Sequence, residues 1–143
     1  MGRCTAYVLL LGLLATACSE PHPVVIRDAW VRNILPSQAV TAGYLTLTNS
    51  GDQQDRLVAV STAAFDSGEL HEMKVDARGV MKMRKSGPID LPVNEPVTLE
   101  RGGLHLMLIG ARYPIAAGND IPLTLHFERS GDLTVAARVK DQP

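Results

Sequence analysis

Short apolar segments separated by turn-forming clusters follow one another through most of the chain. The first is VVIRDAWVR at 24–32 and the last is DLTVAARV at 132–139, and clusters such as SGD, DARG and AGND lie between segments. Gly, Asn and Asp clusters of this kind mark turns between strands. No 3.6-residue apolar period lasts long enough for a helix, although residues 61–68 are compatible with one helical turn. About eight or nine short strands predict an all-β domain, an antiparallel β-sandwich with Greek-key connections.

The N-terminal residues have the pattern of an export signal. Arg3 precedes an apolar run at 5–16, which is too short to cross a bilayer core that needs about 20 residues. The run ends in small residues directly before Cys18, as in bacterial lipoprotein signals, although Ala15 stands where Leu is usual. Residues 1–18 are therefore predicted to be a signal peptide of the lipoprotein type with Cys18 lipidated; ordinary signal cleavage is the alternative. Residues 19–23 would be a tether, and 24–143 the folded domain, outside the cytoplasm (periplasmic) and anchored to the membrane.

Charge and cysteine content exclude several classes of function. The chain has 14 Lys and Arg against 15 Asp and Glu, so it lacks the basic excess that nucleic-acid binding needs. Its two cysteines, Cys4 and Cys18, both lie in the signal region. The exported domain thus has no thiol for a disulfide, a thiolate metal site or a nucleophile. We expect it to be a monomer.

His and Met residues crowd around one predicted hairpin, LHEMKVDARGVMKM at 70–83. Side chains alternate faces along a strand, so His71 and Met73 share one face of the first strand, and Met81 and Met83 share one face of the second. DARG suits a three-residue loop closed by a left-handed glycine. If the loop is 77–79, Met73 faces Met83 and His71 lies diagonally from Met83. A register shifted by two would pair His71 with Met83 directly, and either register keeps all four side chains on one face.

The segment GLHLMLIG at 103–110 repeats this pattern. Alternate leucines at 104, 106 and 108 form a predicted core face, which leaves His105 and Met107 together on the opposite face. A single Met is usually a gap-filler and a single His a surface or satisfied core residue. The combination instead favours a soft metal site, because thioether and imidazole ligands together suit Cu(I), whereas zinc and calcium prefer other ligands.

These residues resemble the signature of the periplasmic copper chaperones of the PCu(A)C family. In that signature a His is followed by one residue that is often Met, then by ten residues, a Met, twenty-one residues and finally His-x-Met. Here His71 is followed by Glu72 in the optional Met place, and Met83, His105 and Met107 occur at the family spacings. The resemblance implies a cupredoxin-like β-sandwich in which His71, Met83, His105 and Met107 bind one Cu(I). Met73 and Met81 lie outside the signature, and packing is the favoured role for them over that of auxiliary ligands.

The resemblance further implies delivery of copper to respiratory oxidases, above all to the CuA centre of cytochrome c oxidase subunit II, directly or through a partner copper chaperone. Three other functions stay open: copper sequestration without a dedicated recipient, a metal-free interaction module, and an enzyme using His71 or His105 as a base. The chain shows no recognisable hydrolase motif, so we expect no enzyme activity. His126 lies opposite an apolar face without a Met companion and is interpreted as a surface histidine.

Overall fold

The computed structural model describes residues 22–35 and 37–141, which form ten β-strands. The predicted signal peptide, Cys18 and most of the tether lie outside these residues. The strands are β1 (Val24–Arg32), β2 (Val40–Asn49), β3 (Asp55–Ser61), β4 (Phe65–Val75), β5 (Met81–Lys85), β6 (Ile89–Leu91), β7 (Pro96–Leu99), β8 (His105–Ala111), β9 (Asp120–Phe127) and β10 (Gly131–Lys140).

The strands pair in the order β5-β4-β8-β2-β1-β10-β9-β3-β6, and β7 pairs with β2 outside this path. The strand β2 is shared, because its first half pairs with β8 and its second half with β7. The pair β1–β10 is parallel, while the other strand pairs are antiparallel. The predicted all-β, largely antiparallel architecture is confirmed.

Two local predictions differ from the structure. The one helical turn considered for residues 61–68 is wrong, since β4 already begins at Phe65 and Ser67 pairs with Ile109 of β8. Tertiary packing decides here, because the Phe65 side chain is fully buried in the core. The three-residue strand β6 was not predicted, and its pairing with Leu57 and its neighbours in β3 is what makes it a strand.

The core follows from side-chain alternation along the strands. In β9 the side chains of Ile121, Leu123, Leu125 and Phe127 are buried, while the residues between them point outward. The same alternation buries Leu106 and Leu108 in β8, as predicted, and leaves His105 and Met107 on the other face. The edge strand β5 is exposed along its whole length.

The hairpin between β4 and β5 has the predicted loop and register. Gly79 adopts a positive φ of 78°, and its amide donates to the Asp76 carbonyl at 2.9 Å. The Asp76 carboxylate accepts further hydrogen bonds from the amides of Arg78 and Val80. The turn therefore fixes the pairing of Met73 with Met83, the first of the two registers considered.

A buried carboxylate ties β3 to the turn between β9 and β10. Asp55 accepts hydrogen bonds from the amides of Arg56, Arg129 and Ser130 and from the Ser130 hydroxyl. Burial alone would raise the pKa of Asp55, but the hydrogen bonds, led by that of Ser130, outweigh burial and lower it. Because the folded pKa lies below the unfolded value, Asp55 stabilises the fold above about pH 4, and this contribution disappears as the pH falls through the folded pKa.

Asp55→Asn should lower the free energy of unfolding at pH 7 by about 2 kcal/mol, the usual scale for a buried, charge-assisted hydrogen-bond network. Urea titrations from pH 7 to pH 3 would show a constant difference from wild type at the upper end that shrinks below about pH 4. The control is Asp52→Asn, at an exposed position nearby, which should change little. An equal pH dependence of stability in wild type and Asp55→Asn would contradict this role.

Candidate metal site

Three adjacent strands, β5, β4 and β8, bring the predicted ligands together. In the β4–β8 register His71 lies directly opposite His105, and the centroids of the two imidazole rings are 5.9 Å apart. The same register places Glu69 opposite Met107. Met83 reaches the same face from β5, on the other side of β4. Met83, His105 and Met107 follow His71 by 12, 34 and 36 positions in sequence, and the register brings them to one patch of the sheet.

A surface groove of about 360 Å³ lies over this patch. Its walls include Met73, Met83, His105 and Met107, so three of the four predicted ligands line it, and His71 adjoins it through the His105 ring. Met81 is not among the residues lining this groove. It pairs with Val75 nearer the hairpin turn and is half exposed.

One ring nitrogen of His105 is hydrogen-bonded to the backbone, and the other is available to a metal. Its side chain is buried, and its Nδ1 lies 3.0 Å from the carbonyl oxygen of Gly103. A carbonyl oxygen only accepts, so Nδ1 carries the proton of the neutral ring. The unprotonated Nε2 of His105 is therefore the nitrogen that offers a lone pair to a metal.

In His71 the roles of the two ring nitrogens are reversed. Its Nε2 lies 2.8 Å from a carboxylate oxygen of Glu69, whose other oxygen accepts from Lys85 Nζ at 3.0 Å. These hydrogen bonds, led by that of His71, lower the pKa of the Glu69 carboxyl, which therefore stays an ionised acceptor. Nε2 then carries the proton, and the Nδ1 atom of His71 is buried without a hydrogen-bond partner. A buried polar atom left in this way is costly unless another group, such as a metal ion, satisfies it.

The donor set of the patch is soft. Each imidazole offers one nitrogen lone pair, and the neighbouring methionines offer thioether sulfur, a combination that suits Cu(I). Within residues 22–35 and 37–141, no group of three or more His, Cys, Asp or Glu side chains could hold a metal ion.

Sequence reasoning missed Glu69 as part of the site. The available signal was parity, because Glu69 precedes His71 by two residues and so shares its face of β4. Glu72, one position after His71, lies on the other face of β4 and pairs with Lys74 at 2.8 Å. Parity places Glu69 on this face but does not show that it bonds the His71 ring as well as Lys85. That contact depends on the side-chain conformation.

The remaining candidates lie elsewhere. His126 is a surface histidine, as predicted, and bonds Ser61 through Nε2 and Asp132 through Nδ1 across the exposed face of three strands. The rings of Trp30 and Tyr44 contact each other at an interplanar angle of 38°, with centroids 4.6 Å apart. In the described part of the chain, no helix is long and apolar enough to span a bilayer.

Comparison with known proteins identifies the family of this chain. Residues 24–139 match the LpqE-like family. The chain is also similar to the copper-bound PCuAC domain of PmoF2, with 29% identity and a TM-score of 0.70 over 84% of this chain and 94% of that domain. The chain belongs to the LpqE-like, PCu(A)C-type family.

Two further relatives of this PCu(A)C-family protein extend the comparison. The solution structure of CuI-DR1885 from Deinococcus radiodurans is 34% identical, with a TM-score of 0.64 over 90% of this chain and 84% of that one. The "Putative lipoprotein Lxx21020" of Leifsonia xyli subsp. xyli is 30% identical and aligns with 96% of this chain and 87% of its own length. The predicted cupredoxin-like fold is confirmed by the structural likeness. The assignment of the four ligands stays a prediction.

The two histidines should occupy opposite neutral tautomers in the metal-free protein. Long-range ¹H–¹⁵N correlation spectra at pH 8 are expected to show His71 protonated at Nε2 and His105 protonated at Nδ1. Glu69→Gln should release the His71 preference, since an amide can donate as well as accept, and leave His105 unchanged. Glu72→Gln is the matched control. The same tautomer at both rings would contradict the hydrogen-bond geometry described above.

Proposed function

We propose that this protein is an extracytoplasmic copper chaperone that binds one Cu(I) through His71, Met83, His105 and Met107. The observation that carries the proposal is the pair of imidazoles on adjoining strands. In each ring one nitrogen bonds an acceptor and the other is left free, beside a groove walled by thioethers. The copper-bound PmoF2 domain and CuI-DR1885, both similar in sequence and fold, support copper as the cargo.

The ligand types support holding copper in the reduced state. Thioether sulfur stabilises Cu(I), and it neither ionises nor forms disulfides in an oxidising compartment. A blue-copper electron-transfer site requires a Cys thiolate, and the only cysteines of this chain are Cys4 and Cys18. The site is therefore suited to carrying Cu(I), not to cycling its oxidation state.

The unequal exposure of the ligands supports a stepwise release. Met83, on the edge strand β5, is 50% exposed, whereas His105 is 5% exposed. A recipient's ligand can reach the metal from the Met83 side without disturbing His105. We propose that Met83 leaves first and His105 last, with Cu(I) bridging the two proteins in between.

Location and recipient complete the proposal. We propose export and lipidation of Cys18, supported by the lipoprotein name of Lxx21020. Membrane fractionation tests this: the wild-type protein should sediment with membranes and Cys18→Ser should not. For the recipient of the copper we propose the CuA site of cytochrome c oxidase subunit II or an intermediate copper chaperone. Sequestration without a dedicated recipient is the alternative.

Deletion of the coding sequence separates these two functions. Loss of oxidase activity that added copper restores would support delivery, because free copper then replaces the carrier. Normal oxidase activity together with increased copper sensitivity would contradict delivery and support sequestration. Complementing the deletion strain with His105→Ala in place of the wild-type gene is the control that tests whether the metal site itself is required.

Anaerobic Cu(I) titration of residues 19–143 against a chromophoric competitor tests the site. Wild type should bind one tight equivalent. Met83→Ala and His105→Ala should each lose more affinity than the roughly 10- to 100-fold that removal of an outer hydrogen-bonding partner costs.

Met73→Ala is the matched control, since Met73 lines the same groove directly opposite Met83 but lies outside the proposed ligand set. It should keep most of the affinity. Equal binding in all four proteins would contradict the proposed site and favour a packing role for the methionines.

A further inference from the structure

A chain of hydrogen bonds runs from the edge strand β5 to the proposed copper site. The Glu69 carboxylate uses its two oxygens separately: Oε2 lies 2.8 Å from Nε2 of His71, and Oε1 accepts from Nζ of Lys85 at 3.0 Å. Lys85 lies directly opposite His71 in the β4–β5 register, and Glu69 precedes His71 by two residues. All three side chains therefore project on the face of the sheet that carries the proposed ligands.

Glu69 supplies negative charge that the proposed ligands lack. Neutral imidazole and thioether ligands do not offset the positive charge of Cu(I). Within the described chain, the residues that line the groove include Arg32 and Arg101 but no acidic side chain. The Glu69 carboxylate also accepts the hydrogen bond of the protonated Nε2 of His71, which makes Nδ1 of that ring a stronger electron donor to a metal. Both effects raise the affinity for Cu(I).

Lys85 opposes these effects of Glu69. Within the described residues its ammonium makes one ion pair, with Oε1 of Glu69. The ammonium draws electron density toward that oxygen, so Oε2 is a weaker acceptor for His71 than it would be in a carboxylate with no second donor. The positive charge that the ion pair holds beside the site also offsets the negative charge of the carboxylate.

Lys85 has a second conceivable role, that of fixing the Glu69 carboxylate in place, and the exposures of the side chains argue against it. The Lys85 side chain is 67% exposed, against 28% for Glu69 and 15% for His71. A long, exposed lysine loses rotamer entropy when it holds a partner, so it fixes that partner weakly. The His71 ring already fixes the other oxygen of Glu69. The charge of Lys85 needs only to stay near the carboxylate, so charge is the larger effect.

We propose that Glu69 and Lys85 tune the copper site in opposite directions: Glu69 raises its Cu(I) affinity through His71, and Lys85 lowers it through Glu69. This inference rests on the proposed function. Neither side chain is a proposed ligand. Together they set the affinity below the value that the carboxylate alone would give, which favours release of the metal to a recipient.

Anaerobic Cu(I) titration against a chromophoric competitor at pH 8 tests the two directions on the protein expressed from its full chain. Lys85→Gln should raise the affinity about threefold, the scale of one exposed ion pair. Lys85→Arg keeps the charge and should match wild type. Glu69→Gln should lower the affinity about 10- to 100-fold. In that background Lys85→Gln should have little effect, because no carboxylate holds the exposed ammonium beside the site.

The hydrogen bond itself is measured by NMR in the metal-free protein, so this readout does not depend on copper. The Nε2–H proton of His71 should move downfield in Lys85→Gln, because the carboxylate then accepts more strongly, and should not move in Lys85→Arg. Lys74→Gln is the matched control, since Lys74 pairs with Glu72 at 2.8 Å on the other face of β4. It should change neither the affinity nor this resonance.

Unchanged or weaker Cu(I) binding by Lys85→Gln would overturn the proposal. An equal gain in the wild-type and Glu69→Gln backgrounds would also overturn it, because the effect would not pass through Glu69. If wild type binds no tight equivalent of Cu(I) while the His71 proton shifts as expected, the proposed function fails and the hydrogen-bond chain stands.

Discussion

The register of β4 between its two neighbours is the constraint on which the proposed site depends. On one side His71 lies opposite His105 of β8, and on the other side Met73 lies opposite Met83 of β5. A slip of one residue in the β4–β8 pairing would turn His105 and Met107 to the other face of the sheet from His71, and a slip in the β4–β5 pairing would do the same to Met83. Two features prevent that slip. The loop closed by Gly79 fixes the hairpin, and the buried leucines of β8 fix the face that points to the core.

Within this register, hydrogen bonds determine what each imidazole can do. Gly103 and Glu69 each present an acceptor to one ring nitrogen, so the sheet orients two rings whose other nitrogens are free. The two acceptors differ in kind: a backbone carbonyl is fixed by the chain, whereas a carboxylate can move with its side chain. The proposed ligands of this patch also differ in solvent exposure, since Met83 is exposed and His105 is buried. The geometry thus combines a rigid interior donor with a replaceable exterior one, which suits a carrier that must bind its metal and also release it.

Much of this could be predicted from the sequence, because strand periodicity is a local property. The alternating leucines of β8 and β9 determined the core face, and the DARG turn determined the Met73–Met83 pairing. The errors came from tertiary context. Residues 61–68 gave no strand signal, yet Phe65 is buried and its strand pairs with β8. The short strand β6 forms because it pairs with β3. The contact of Glu69 with His71 and the position of Arg101 on the groove depend on side-chain conformations and loop paths that periodicity does not encode.

The central claim is that Cu(I) binds through two imidazole nitrogens and two thioether sulfurs. X-ray absorption at the copper K-edge of the singly loaded protein tests this most directly. The account predicts an edge typical of Cu(I) and a first shell fitted by two sulfur and two nitrogen scatterers, with the multiple scattering that marks imidazole. A first shell of nitrogen and oxygen alone, or of sulfur alone, would contradict it, because neither could arise from His71, Met83, His105 and Met107 acting together.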